Sequence, residues 1–168
     1  MSETIERHTI VVLVDNEPGV LARVIGLFSG RGYNIDSLTV AAVSPDGRIS
    51  RINVVTSGTP MIIEQIKAQL ERLVPVHDVH DLTDEGAHIE KEAALVKVVN
   101  EGAERREALR IADIFRARVT DTTVKSFVFS LTGSPEKIDA FIELMRGLGD
   151  VEVARSGIVA IARGPSAI

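Results

Sequence analysis

The chain reads as one short pattern written twice. Thr9–Val14 (TIVVLV) is a run of β-branched and aliphatic residues, the signature of a buried strand. Asp15-Asn16-Glu17-Pro18-Gly19 follows, an Asx turn with Pro, which signals a helix start. Val20, Leu21, Val24, Ile25, Leu27 and Phe28 then fall on one helical face, and Gly30 and Gly32 end the helix. Asn34–Val43 predicts a second strand, Ser44-Pro45-Asp46-Gly47 a turn, and Arg48–Thr56 a third strand. Gly58-Thr59-Pro60 opens a second helix with Ile63, Ile66, Leu70 and Leu73 on one side, and Val74–Leu82 predicts a fourth strand.

The order then repeats after Asp84-Glu85-Gly86-Ala87, a polar, small-residue linker. Ala94–Val99 is a strand, and Glu104–Arg118 a helix burying Ala108, Ile111, Ile114 and Phe115. Arg118–Val124 and Phe127–Leu131 are strands. Ser134-Pro135 caps a helix carrying Ile138, Phe141, Ile142, Met145 and Leu148. Val151–Ala162 is a final strand, bent at Gly157. The expected fold class is therefore α+β, with two ferredoxin-like βαββαβ domains over residues 1–83 and 84–168. Each sheet buries one face against two helices, and its other face must be covered or polar. Units this small bury only about 60% of their unfolded surface, so pairing with a second copy is expected.

Several chemistries are excluded. The chain has no cysteine, which removes disulfides, thiolate metal sites and a cysteine nucleophile. Its formal charge is −5, and neither half is basic: residues 1–84 carry 7 basic and 11 acidic side chains, and residues 85–168 carry 12 and 13. An electrostatic nucleic-acid binder needs a basic footprint. Aromatic residues make up 4% of the chain, too few for a base-stacking platform. Met1–Glu6 contains neither a basic region nor an apolar stretch of leader length, and no apolar run approaches the roughly 20 residues that cross a bilayer. A cytoplasmic chain is the expectation.

The apparent catalytic and metal motifs have plainer explanations. His77-Asp78-Val79-His80-Asp81 places its histidines three apart, on opposite faces of a strand, so solvated polar residues explain it better than a metal site. Ser134-Pro135-Glu136-Lys137 matches S-x-x-K, yet a Ser before Pro at the head of an apolar helix is an N-cap. Gly26, Gly30 and Gly32 close a helix, whereas a phosphate loop opens one. No catalytic residue and no metal ligand is assigned.

The loop Asp15–Leu21 remains. Backbone N–H groups at a helix N-terminus favour a carboxylate, Gly19 admits a ligand close to the backbone, and the oxygens of Asp15 and Asn16 accept from an ammonium group. The same residues equally describe a helix cap with nothing bound.

Asp15-Asn16-Glu17-Pro18-Gly19-Val20-Leu21 resembles the D…P-G-x-L loop of ACT domains, which are amino-acid-sensing βαββαβ modules. The block Ile25–Val40 (IGLFSGRGYNIDSLTV) and Val153-Ala154-Arg155-Ser156-Gly157 resemble the regulatory (small) subunits of acetolactate synthase, and the similarity runs along essentially the whole chain. The resemblance implies a subunit with no active site of its own. Its partner would be a separate catalytic large subunit carrying thiamine diphosphate, magnesium and FAD, in valine, leucine and isoleucine biosynthesis. The small subunit would activate that partner and confer feedback inhibition by valine. The effector would lie between two ACT domains of a homodimer. By motif, Asn16, Gly19, Val20 and Leu21 would come from one chain and Asn34 and Ile35 from its mate. The second half has Gly102-Ala103-Glu104-Arg105 at the corresponding place and is given no effector site; it is expected to serve dimerisation and signal transmission. Other readings are an ACT protein with a different partner and a stand-alone enzyme, for which no nucleophile–base pair is found.

Overall fold

The computed structural model describes residues 3–168; Met1 and Ser2, at the head of the stretch read for a leader, lie outside the described residues. The elements are β1 (Glu6–Asp15), α1 (Val20–Ser29), β2 (Ile35–Ala42), β3 (Ile49–Gly58), α2 (Pro60–Glu71), β4 (Val76–Asp81), α3 (Leu82–Glu85), β5 (His88–Val99), α4 (Gly102–Ile114), β6 (Arg118–Thr122), β7 (Ser126–Gly133), α5 (Pro135–Arg146), β8 (Asp150–Arg155) and β9 (Val159–Ala162). They pack as two units. One holds the chain up to Ile89 together with Ile158–Ile168; the other is Glu90–Gly157. Among the described residues no helix is long and apolar enough to cross a membrane.

In the first unit the strand order is β2-β3-β1-β4, with antiparallel neighbours throughout, the arrangement of a ferredoxin-like βαββαβ unit. Alternate residues Ile10, Val12 and Val14 of β1 and Ile52 and Val54 of β3 point to the helices. They meet Val20, Val24 and Phe28 of α1 and Ile63, Ile66 and Leu70 of α2, spaced to form single helical stripes. Leu21 and Leu27, read from sequence as part of the α1 face, pack only at its margin. Thr59 Oγ1 accepts from the Ile62 amide at 3.4 Å, and Pro60 occupies the first turn, so α2 starts as its sequence predicts.

The opposite face of this sheet is covered as well. Val11 and Val55 are fully buried there, and Val11 packs with Leu82 and Ala160. Ala160 lies in β9, so the C-terminal segment, read from sequence as the end of the second half, completes the first unit. Gly157, at φ +89°, separates β8 from β9. The single strand predicted over Val151–Ala162 is thus two strands serving different units. The expected linker is partly helix: the Asp81 carboxylate accepts from the Thr83 and Asp84 amides at 3.1 and 3.4 Å and nucleates α3. The division between units falls after Ile89 rather than within Asp84–Ala87.

The second sheet repeats the order, β6-β7-β5-β8, and β9 also pairs with β5. Its core joins Val96 and Val98 of β5, Phe127, Phe129 and Leu131 of β7, Ala108 and Ile111 of α4, and Ile138, Phe141 and Met145 of α5. Phe127 and Phe129 therefore serve as core and present no stacking surface. Ile114, expected inside, is 62% exposed, because α4 ends there and Ala112 takes the inward position. Ser134 Oγ accepts from the Lys137 amide at 3.3 Å, so the serine of S-x-x-K is an N-cap. The Arg105 guanidinium lies 3.8 Å above the Phe127 ring. Glu92, buried on the helix side of the sheet, is held by Arg155, which also reaches Asp139 at 2.7 Å.

Candidate functional site: an uncapped helix entrance and a distant strand start

Asp15 and Asn16 stand where β1 gives way to α1, and neither caps the helix. The Asp15 carboxylate lies 2.5 Å from His77 Nε2 on β4, and the Asp15 amide donates to the Pro75 carbonyl at 2.9 Å. The Asn16 side-chain amide donates to the Gly47 carbonyl at 2.8 Å, and its backbone amide donates to the Arg48 carbonyl at 2.7 Å. These four bonds tie the loop to β4 on one side and to the β2–β3 turn on the other. The N-cap residue is Gly19, at φ +86°, a left-handed conformation that glycine adopts without a Cβ penalty. No side chain accepts from the first turn of α1, and that turn contains no acidic residue. In the same unit Thr59 caps α2; α4 also starts without a side-chain cap, but it carries Glu104 in its first turn. Two expectations change. Asp15 and Asn16 are not the cap, and Asp15 is already engaged by a histidine. What remains is a helix entrance without a side-chain cap or an acidic residue, where the Val20 amide donates to the Glu17 carbonyl at 3.3 Å.

The first four predicted residues cluster here. Asn16 and Gly19 are exposed, Leu21 is partly exposed, and Val20 is buried under the loop at 6% exposure. Asn34 and Ile35 do not join them. Ile35 pairs with Thr56 on β3, whereas Asp15 pairs with Ile49. Those β3 positions are seven residues apart, roughly 23 Å at about 3.3 Å per residue. Within one chain the two groups sit at opposite ends of the sheet. The Asn34 side chain donates to Asp36 at 2.5 Å, and its carbonyl accepts from Thr56 Oγ1 at 2.6 Å. Both groups do lie near edge strand β2, which has a neighbour on one side only.

A second cluster escaped the sequence reading because its members are distant in the chain. His8, 3% exposed, has Nδ1 2.8 Å from Asp81 and Nε2 3.1 Å from Glu6, with Asp84 3.8 Å away. Ligand atoms of His8, Asp81 and Asp84 lie within 4.8 Å of one another, a spacing that can hold a metal ion. The Lys67 ammonium, however, lies 3.6 Å from Asp81 and 3.4 Å from Asp84 and supplies a positive charge there. Burial alone pulls the His8 pKa down, but its bonds to Glu6 and Asp81 and the charges of Asp81 and Asp84 together raise it above 6.5. The histidines of the suspected metal motif go separate ways. His77 meets Asp15, and His80 lies between Asp78 and Glu85 at 2.8 and 3.0 Å.

The sequence matches the family described as the acetohydroxyacid synthase small subunit-like ACT domain over residues 10–78, and that of the small subunit of acetolactate synthase over residues 91–164. It is 46% identical to the acetolactate synthase isozyme 3 small subunit of Escherichia coli over 159 residues, covering 94% of this chain and 96% of the relative. It is 44% identical to the probable acetolactate synthase small subunit of Archaeoglobus fulgidus, covering 94% and 98% of the two chains. The crystal structure of the acetolactate synthase small subunit from Thermotoga maritima superposes with a TM-score of 0.82 at 34% identity, covering 96% of this chain and 99% of that one. With such likeness along nearly the whole of each sequence, and an ACT domain in the first unit, the chain belongs to the family of acetolactate synthase small subunits.

Proposed function

We propose that this chain is the regulatory subunit of acetolactate synthase in branched-chain amino acid biosynthesis. It acts in the cytoplasm without an active site of its own, raises the activity of a separate large subunit, and confers feedback inhibition by valine. The carrying observation is the α1 entrance at Gly19, open to an anion and left without a protein cap.

The effector site is completed by two copies. Because Asn16–Leu21 and Asn34–Ile35 stand at opposite ends of one sheet, a single chain supplies two separate half-sites. Pairing β2 with β2 of a second copy about a two-fold axis brings the start of one strand to the end of the other. Asn16 is tied by Gly47 and Arg48 to the turn that follows β2, so the half-sites then meet. The amides around Gly19–Leu21 hold the effector carboxylate. Asn16, its side-chain nitrogen already committed to Gly47, keeps its oxygen for the ammonium. Ile35 of the mate packs on the branched side chain. Burying an isopropyl group contributes about 1.5–3 kcal/mol, and a carboxylate at a helix N-terminus about 0.3–1 kcal/mol. Those sums suit reversible sensing of a metabolite. The second unit serves assembly and passes the signal to the large subunit, which carries the thiamine diphosphate, magnesium and FAD.

The test is an acetolactate assay of the cognate large subunit with and without this chain and valine. The expected result is stimulation by the chain and loss of the gain on adding valine. No stimulation would mean that another partner is regulated.

A further inference from the structure

The outer face of the first sheet carries a row of polar side chains whose partners are backbone groups of β9. Ser37 and Thr39 stand on β2, and Arg51 and Asn53 on β3. The Ile158 amide donates to Ser37 Oγ at 2.8 Å, and Thr39 Oγ1 donates to the Ile158 carbonyl at 3.2 Å. The Ala160 amide donates to Asn53 Oδ1 at 3.4 Å, and Arg51 donates to the Ala160 carbonyl at 2.7 Å. Asn53 Nδ2 donates in turn to Thr39 Oγ1 at 2.9 Å and links the two strands. Ile158, just before β9, and Ala160 within it thus each have both N–H and carbonyl held by side chains of the sheet beneath. Arg51 pairs with no carboxylate among the described residues, and burial pulls its pKa down, so its bond to Ala160 replaces solvent.

This grip is built on the strand that opens with Ile35. Ser37 lies two residues beyond it, across a register shift in the β2–β3 ladder between the two. A shift at Ile35 therefore reaches Ser37 and Thr39 along one short strand. Beyond Ile158 the chain passes through Gly157 into β8 of the second unit, so β9 is a covalent tie between the units. Ile158 and Ala160, each 6% exposed, four polar side-chain bonds and backbone pairing of β9 with β5 hold it, so the side-chain grip can tighten or slacken while the strand stays paired.

Resting on the effector site proposed above, we infer that β9 is the coupling strap of feedback inhibition: effector held at the start of β2 tightens the grip of Ser37, Thr39, Arg51 and Asn53 on Ile158 and Ala160, and the second unit feels that change through Gly157. Coupling of this kind spans roughly 5- to 150-fold in affinity.

The experiment uses the reconstituted holoenzyme and the double variant Ser37→Ala/Arg51→Met, which removes one acceptor and one donor while keeping the apolar cover. Valine should still saturate the variant, its affinity weakened by no more than the coupling factor, whereas the inhibition reached at saturating valine falls to less than about half that of the unaltered chain. Hydrogen exchange on the unaltered chain gives a second reading: the Ile158 and Ala160 amides should gain protection when valine is added. Unchanged inhibition in the variant together with unchanged exchange overturns the inference while leaving the effector site intact. Full inhibition of the variant once valine is raised to saturation overturns it too, since those residues would then support binding alone. If the unaltered chain binds no valine, the effector reading falls and this inference falls with it.

Discussion

Replacing Gly19 with aspartate should abolish feedback inhibition without unfolding the chain. A Cβ at this position meets no atom within 4 Å, so the substitution is sterically free, but φ is +86°. The left-handed backbone costs a non-glycine residue about 1–2 kcal/mol, with aspartate among the better tolerated. The new carboxylate would also cap α1 and occupy the N–H groups meant for the effector. Two carboxylates about 5 Å apart at an effective dielectric of about 20 repel by roughly 3 kcal/mol. At about 1.4 kcal/mol per factor of ten, valine affinity should fall by two orders of magnitude or more. Gly19→Ala is the control, since it carries the same strain without the charge. It should lower stability by about 1 kcal/mol and weaken valine by less than tenfold. Calorimetry of valine binding, beside stimulation of the large subunit, reads both. Undiminished valine affinity in the aspartate variant would refute the placement of the site. Equal weakening by alanine and aspartate would refute the electrostatic argument.

Gly149→Ala should destabilise the second unit by about 1–3 kcal/mol, since its Cβ would drive into the Val99 carbonyl and press on Asn100; thermal unfolding measures it, and a drop under 0.5 kcal/mol would contradict the packing. Arg155→Leu leaves the buried Glu92 carboxylate without its cation and should cost about 3–5 kcal/mol; adding Glu92→Gln should recover a large part, and a double variant no better than the single would count against the pairing. His8 stays charged in the fold to a pH above its ordinary 6.5, so its contribution to stability is full below about pH 6.5 and lost as pH rises through the folded value. Melting temperature should therefore fall from pH 6 to pH 8. His8→Gln should flatten that slope in part, the rest falling to His80, whose pKa is likewise raised by Asp78 and Glu85 against the pull of burial.

Local pattern carried the elements. The β-branched run of β1, helical spacing in α2, and the Thr59-Pro60 and Ser134-Pro135 caps are properties of consecutive residues, and they stand in the fold as the sequence predicts. The long block around Ile25–Val40 carried the family. The helix entrance at Gly19 was legible as either cap or ligand site. The fold shows that Asp15 and Asn16 do not cap α1, because their partners are His77 and Gly47, 62 and 31 residues away.

The sequence alone settled two repeats of βαββαβ, since each element is encoded within a short run of consecutive residues, and it offered the Asp15–Leu21 loop as a candidate site. Tertiary structure decided the rest. It divided the predicted effector residues between opposite ends of one sheet, gathered His8, Lys67, Asp81 and Asp84 around a buried imidazole, and returned Ile158–Ile168 to the first unit. The reason is that a strand's burial period shows that it needs a cover but not which segment supplies it; β9 is chosen by side chains more than 100 residues earlier in the chain.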